Sequence, residues 1–216
     1  MTADRSDLKS AIEARLVEAP HRAVWTPGDF LDLGARDAVD KTLQRLVKAG
    51  EIRRIERGLY DRPTHIGLTQ QLNPADPRSV IDAIARRDQI RVLIDGMTAA
   101  NDLGLTNAVP AKIVVHTDAR LRPIHLGALT IVFQPTAASK LYWAGRPAMR
   151  LVQAMHWLRD ALGNDEEREG VLRRLRRRLD DPAQGPILRA DLEAGLSTLP
   201  AWMQATLRAA MTSPPP

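Results

Sequence analysis

One stretch constrains the fold more than any other. It begins Val24-Trp25-Thr26-Pro27-Gly28-Asp29-Phe30-Leu31-Asp32-Leu33-Gly34 and runs on to Arg62. Thr26 is a helix-capping residue type, and Pro27 suits a first helical position, where a missing backbone N–H costs nothing. Phe30, Leu31 and Leu33 give this short segment an apolar anchor. Gly34 reads as the positive-φ residue of a tight inter-helix turn. From Arg36 onward, Val39, Leu43, Leu46 and Val47 recur at i, i+4, i+7 and i+8, which is one face of a helix that Gly50 would stop. The other face carries Arg36, Asp37, Asp40, Lys41, Gln44, Arg45 and Lys48. Ile52 and Ile55 then bracket Arg53 and Arg54, and Glu56-Arg57-Gly58 can turn the chain back into Leu59-Tyr60. Short helix, turn, long helix and basic hairpin, in that order, predict a winged helix-turn-helix.

Such a unit carries a chemical expectation. Glutamine suits adenine and arginine suits guanine, so Gln44 and Arg45 are candidates for base edges. Arg36 and Lys41 would sit at or near the reading end of the helix. Lys48, Arg53, Arg54 and Arg57 would hold phosphates. Tyr60 reads as a packing residue of the hairpin. Basic residues opposite an apolar stripe are, taken alone, an ordinary solvated helix face. The capped segment before the helix and the basic hairpin after it are what raise the unit above that. Winged helices also serve as protein-docking modules, so the alternative is an interaction module with the winged helix as scaffold.

Length and composition set the outer bounds. The chain has 216 residues, 44% hydrophobic and 26% charged, which is ordinary globular composition. It has no cysteine, which excludes disulfides and cysteine-based zinc sites and fits a reducing cytosol. The start, Met1-Thr2-Ala3-Asp4-Arg5, is polar and does not read as a signal peptide. A cytoplasmic protein without membrane association is expected. Formal net charge is +5, spread as +1 over residues 1–63, +1 over 64–135 and +3 over 136–216. The local balance is more telling, because Gly34 to Arg62 holds 8 basic and 5 acidic residues. A modest patch of this kind supports phosphate contacts that weaken with salt.

The rest of the chain reads as an α+β domain. Ser6 opens a first helix with Leu8, Ile12 and Leu16 on its buried side, and Pro20 stops it. Val24-Trp25 is a short strand candidate that would pair with the wing. Residues 1–63 form the winged-helix domain, 64–76 a linker rich in turn residues, and 77–212 the second domain. Asp76 caps and Pro77 begins a helix there; Ile90 to Ile94 is a strand ending at an Asp95-Gly96 turn. Small residues after Gly96 call for a helix packed closely against a neighbour, ended by Gly104. Lys112–Thr117, Arg122–Leu126 and Leu129–Phe133 read as an antiparallel β-meander, and helices follow from Lys140. Asn164 or Asp165 is a capping candidate for a helix there.

Two stretches together carry a resemblance. Arg54-Ile55-Glu56-Arg57-Gly58-Leu59-Tyr60, followed by Ala99-Ala100-Asn101-Asp102-Leu103-Gly104-Leu105-Thr106-Asn107-Ala108-Val109-Pro110 and Val115-His116-Thr117, is similar to the AbiEi antitoxins of bacterial type IV toxin–antitoxin and abortive-infection systems. The likeness covers roughly residues 5 to 160. It implies an N-terminal winged helix that binds inverted repeats of double-stranded DNA in its own promoter and represses it. It also implies a C-terminal domain that counteracts a cognate nucleotidyltransferase-like toxin, functionally if not physically. It implies no catalytic residue.

Enzymatic signatures are missing from the sequence. There is no G-x-G dinucleotide fingerprint, no phosphate-binding loop and no G-x-S-x-G elbow. No cofactor and no metal is expected. The histidines His21, His65, His116, His125 and His156 are scattered, although His116 and His125 could face each other across adjacent strands. The run Arg173-Arg174-Leu175-Arg176-Arg177-Arg178 has two readings. One is an exposed face neutralised by Glu166, Glu167, Glu169, Asp180 and Asp181. The other is a second nucleic-acid surface that contacts RNA.

Overall fold

A computed structural model describes residues 5–20, 22–64, 72–108, 110–163 and 165–212, with the side chains of 5, 6, 139, 165 and 166 excepted. The expected caps Ser6, Asn164 and Asp165, the histidines His21 and His65, and most of the expected linker lie outside the described side chains and residues. The fold is α+β, with eight α-helices and two sheets among the described residues. The chain divides into two compact units: residues 1–90 with 123–131, and residues 91–122 with 132–216.

In the first unit, α1 (Arg5–Glu18) is followed by β1 (Val24–Trp25), a 3-10 turn (Pro27–Phe30), α2 (Arg36–Lys48), β2 (Arg53–Glu56), β3 (Leu59–Asp61) and α3 (Pro77–Asp88). The segment after Thr26 is thus one short 3-10 turn. The Asp29 carboxylate accepts from the Thr26 N–H at 2.7 Å and the Thr26 hydroxyl at 3.1 Å, which holds that turn closed. The three strands form an antiparallel sheet of order β1-β3-β2, with Trp25 and Arg54 both opposite Tyr60. Leu8, Ile12 and Leu16 of α1, Val39, Leu43 and Leu46 of α2, and Trp25, Phe30, Ile52 and Tyr60 make one buried cluster.

Two glycines in this unit have different jobs. Gly50, at φ +74°, ends α2, with the Gly50 N–H donating to the Val47 carbonyl and the Glu51 N–H to that of Leu46. Gly34 has no positive φ, against the sequence expectation. A Cβ there would stand 3.1 Å from Leu8 Cδ1 and 3.2 Å from Cδ2, so the small residue suits close packing on α1 and is not called for by a turn.

Helix α3 belongs to this first unit, whereas the sequence reading set a boundary at residue 63. Val80, Ala83 and Ile84 are fully buried, and the helix is capped by the Asp76 carboxylate on the Ser79 N–H at 2.9 Å. Its last turn reaches back into the N-terminal sheet: Arg86 donates to the Val24 carbonyl at 3.2 Å and Arg87 to that of Arg57 at 2.7 Å.

The remaining strands are β4 (Val92–Ile94), β5 (Lys112–Thr117), β6 (Ile124–Leu126) and β7 (Leu129–Pro135), in the order β4-β5-β7-β6. The expected meander is therefore corrected, because β7 and not β6 lies beside β5. Pro123, which has no N–H to give a ladder, leads into three-residue β6 and suits it to the edge. Gly127, at φ +65°, then turns the chain into the longer β7, whose Ile131 and Phe133 are buried. The sheet is mixed: β5 and β7 end side by side, with the Thr136 N–H donating to the Thr117 carbonyl at 2.7 Å.

In the second unit, α4 (Gly96–Asp102) is capped by Asp95, so Asp95-Gly96 starts a helix and is not a turn. The Asp95 carboxylate also takes the Val114 N–H at 2.9 Å and thereby ties α4 to β5. α4 packs against α5 (Met149–Trp157), and its small residues are needed there: Ala99 and Ala100 are fully buried. A Cβ on Gly96 would stand 2.5 Å from the Gln153 carbonyl oxygen. α6 (Asp165–Leu179), α7 (Gly185–Gly195) and α8 (Ala201–Thr212) complete the unit. No helix among the described residues is long and apolar enough to cross a membrane.

Candidate nucleic-acid interface

The eight residues expected to meet DNA all fall on α2 and the β2–β3 hairpin. α2 seals one side into the core, where Val39, Leu43 and Leu46 are fully buried. The opposite side is therefore turned to solvent, and Arg36, Lys41, Gln44, Arg45 and Lys48 are all exposed. At about 100° per residue, Lys41, Gln44, Arg45 and Lys48 spread over about 100° of the helix circumference. Among the described residues, none of these four side chains is held by a hydrogen bond or ion pair. Arg36 differs, because its Nε donates to Asp40 Oδ2 at 3.0 Å on the flank of that stripe.

The hairpin divides its arginines by strand alternation. Arg54 and Glu56 are exposed on one face of β2, while Arg53 and Ile55 are half-buried on the other. Arg57 is exposed at the tip, beside Gly58 at φ +71°. Arg53 is occupied. Its Nε donates to Asp61 Oδ1 at 2.9 Å, its Nη2 to Asp61 Oδ2, and its Nη1 to the Asn73 carbonyl at 3.0 Å. Asp61 is directly opposite on β3, and its side chain is only 6% exposed. Arg53 thus neutralises a buried carboxylate and fixes the register, which distinguishes it from Arg54 and Arg57. Tyr60 is buried in the core cluster.

Two groups that position this surface were not singled out from sequence. Arg87, on α3, braces the hairpin tip through the Arg57 carbonyl, and its aliphatic stem lies against Gly58, where a Cβ would be 3.6 Å from Arg87 Cδ. Hydrogen bonding to Asp88 holds the Arg87 guanidinium in its charged form, above its already high usual range. Arg15, on α1, fixes the loop before α2: it donates to the Asp29 carbonyl at 2.7 Å and grips Asp32 at 2.7 and 2.6 Å. The Arg15 guanidinium holds the Asp32 carboxyl below the usual carboxylate range. Basic residues in the last turn of a helix, here Arg86 and Arg87, are a sequence signal that could have pointed to this brace, although not to its target.

The histidines do not converge. His116 stands opposite Leu93, and His125 opposite Thr130, whose Oγ1 lies 3.1 Å from His125 Nδ1. β7 separates their strands, so the expected facing pair does not form. Among the described residues, no group of three or more His, Asp or Glu side chains is placed to hold a metal ion.

Similarity to known proteins bears on the chain as a whole. No curated protein matches it. The crystal structure of the RV2827C protein from Mycobacterium tuberculosis is similar over 97% of this chain and 71% of that chain, at 17% identity and a TM-score of 0.42. A family of unknown function, DUF6088, matches residues 11–181. That match spans most of the sequence, and the chain therefore belongs to the DUF6088 family.

Proposed function

We propose that this protein is a sequence-specific DNA-binding repressor and antitoxin. Its first unit acts as a winged helix-turn-helix, with α2 as the reading helix and the β2–β3 hairpin as the wing. One observation carries the reading: α2 is sealed on one side and offers Lys41, Gln44, Arg45 and Lys48 without internal partners on the other. The hairpin that follows directly exposes Arg54 and Arg57. Long, charged and amide side chains left without internal partners are free to meet base edges and phosphates.

In this reading Gln44 and Arg45 read bases, Arg36 and Lys41 sit at or near the reading end of α2, and Lys48, Arg54 and Arg57 hold phosphates. Arg53 serves as the structural anchor of the wing. The likeness of Arg54–Tyr60 and Ala99–Pro110 to AbiEi antitoxins supports the physiological part of the proposal. The protein represses its own promoter by binding inverted repeats there, and it counteracts a nucleotidyltransferase-like toxin encoded beside it. It does so in the cytoplasm, as a binding protein and not as an enzyme.

The test is a mobility shift on the DNA upstream of the gene. Arg45→Ala is expected to change sequence preference, while Arg54→Ala weakens all sequences alike. Equal affinity of wild type and both variants for every duplex would overturn the assignment. Stable co-purification with the toxin in the absence of any DNA shift would favour the interaction-module alternative instead.

A further inference from the structure

The arginine run of α6 divides into residues with different surroundings. Arg176 Nη1 is ion-paired with Glu169 at 3.3 Å. Arg174, Arg177 and Arg178 recur at i, i+3 and i+4, and with Asp181 they line a cavity of about 330 Å³ whose other wall is Leu103 and Gly104 at the end of α4. The neighbouring carboxylates are largely engaged elsewhere. Asp180 pairs with Arg189 at 2.6 Å, Asp102 with Arg150 at 3.3 Å, and Glu169 with Arg176. Asp181 Oδ1 accepts the Ala183 and Gln184 N–H groups, each at 2.9 Å.

Against that background the cavity arginines are under-used. Arg178 makes one long contact, to the Leu103 carbonyl at 3.4 Å. Among the described residues, Arg174 and Arg177 have no ion-pair partner, and Arg174 Nε is buried with no acceptor at all. A buried guanidinium N–H without an acceptor is costly, so the Arg174 head group is not held in place by a full set of internal partners. Three guanidinium forks around one cavity match the planar, multi-oxygen geometry of a phosphoryl group.

We propose that this cavity binds the phosphoryl group of a small phosphate ester of nucleotide size, with Arg174 and Arg177 as the principal donors and Arg178 at the rim. The site shares no residue with the proposed DNA surface, and the proposal does not depend on that reading. Its volume admits a phosphate with part of its organic moiety, and the Asp181 carboxylate at its edge disfavours a continuous polyanion.

Calorimetric titration of the 216-residue chain at low ionic strength tests the proposal, with inorganic phosphate, AMP and adenosine as probes. AMP and inorganic phosphate bind, AMP more tightly, and adenosine does not. Phosphate binding as tightly as AMP identifies the free ion as the ligand and overturns the ester assignment. Arg177→Ala, at an exposed position, weakens AMP binding about tenfold, as does Arg174→Ala, in line with the loss of a charge-assisted hydrogen bond. Arg173→Ala, exposed and outside the cavity, leaves binding unchanged. Should Arg174→Ala prove unstable, Arg177→Ala alone decides. Absence of AMP binding by wild type, or undiminished binding by Arg177→Ala, overturns the proposal. So does binding of a single-stranded RNA oligomer without any binding of AMP.

Discussion

Replacing Arg53 separates the architecture of the hairpin from its proposed contacts. In Arg53→Ala, the Asp61 carboxylate loses both guanidinium hydrogen bonds at a side chain that is 6% exposed. Removing one partner of a fully buried pair costs roughly 3–5 kcal/mol. The Arg53 side chain is 27% exposed, so water can enter where it stood. That lowers the expected cost to about 2 kcal/mol. With a urea dependence of about 1.5 kcal/mol per molar, the unfolding midpoint should fall by about 1.3 M. Arg54 is the control next door: it is exposed, and Arg54→Ala should move the midpoint by less than about 0.5 kcal/mol in equivalent stability. Asp61→Asn in the Arg53→Ala background should recover much of the loss, because the uncompensated buried charge is gone. The assay is urea unfolding followed by far-ultraviolet circular dichroism and by the fluorescence of Trp25 in a variant whose other three tryptophans, Trp143, Trp157 and Trp202, are replaced by phenylalanine. An Arg53→Ala midpoint equal to wild type would refute the assignment of Arg53 as an anchor.

Three further outcomes follow from the same geometry. Gly58→Ala places a side chain at φ +71° and should cost about 1 kcal/mol by thermal unfolding, with weakened DNA binding as the hairpin tip shifts. Gly96→Ala would drive a Cβ to 2.5 Å from the Gln153 carbonyl and 2.7 Å from Trp157 Cβ; a loss of about 3 kcal/mol is expected, and a melting temperature near wild type would contradict the packing of α4 on α5. Asp118 accepts the Arg91 N–H and guanidinium at 3.0 Å each, and Arg91 holds its carboxyl below the ordinary 3.8. A depressed folded value means stabilisation that is present above the unfolded value and lost as pH falls through the folded one. Asp118→Asn should therefore flatten the acid limb below about pH 4, read by pH-dependent melts.

The α2 helix was legible because its buried residues repeat with the helical period and Gly50 stops it. The hairpin was legible because two isoleucines bracket the arginines and a glycine follows. Gly34 misled because glycine before a helix signals a turn, while its close neighbour here is Leu8, a residue 26 positions upstream that no local pattern links to it. The order of β5, β6 and β7 was hidden for a related reason: alternation and turn signals identify strands, but which strand takes the centre depends on non-local pairing. Arg53 and Arg54 are chemically equal neighbours in sequence, and only strand alternation with Asp61 opposite separates the anchor from the exposed candidate. The brace from Arg87 to the Arg57 carbonyl spans 30 positions and has no sequence signature. In the arginine run the spacing of Arg174, Arg177 and Arg178 was visible, but the cavity facing them was not.

The most direct test of DNA binding through this surface is the salt dependence of affinity for the upstream duplex, measured by fluorescence anisotropy for wild type and the Arg54→Ala/Arg57→Ala double variant. Each phosphate contact contributes about 0.9 to the slope of log affinity against log salt, so losing two should reduce the slope by roughly 1.8. A folded double variant with that smaller slope is the predicted result. An affinity and slope equal to wild type would contradict the placement of the hairpin on the DNA backbone.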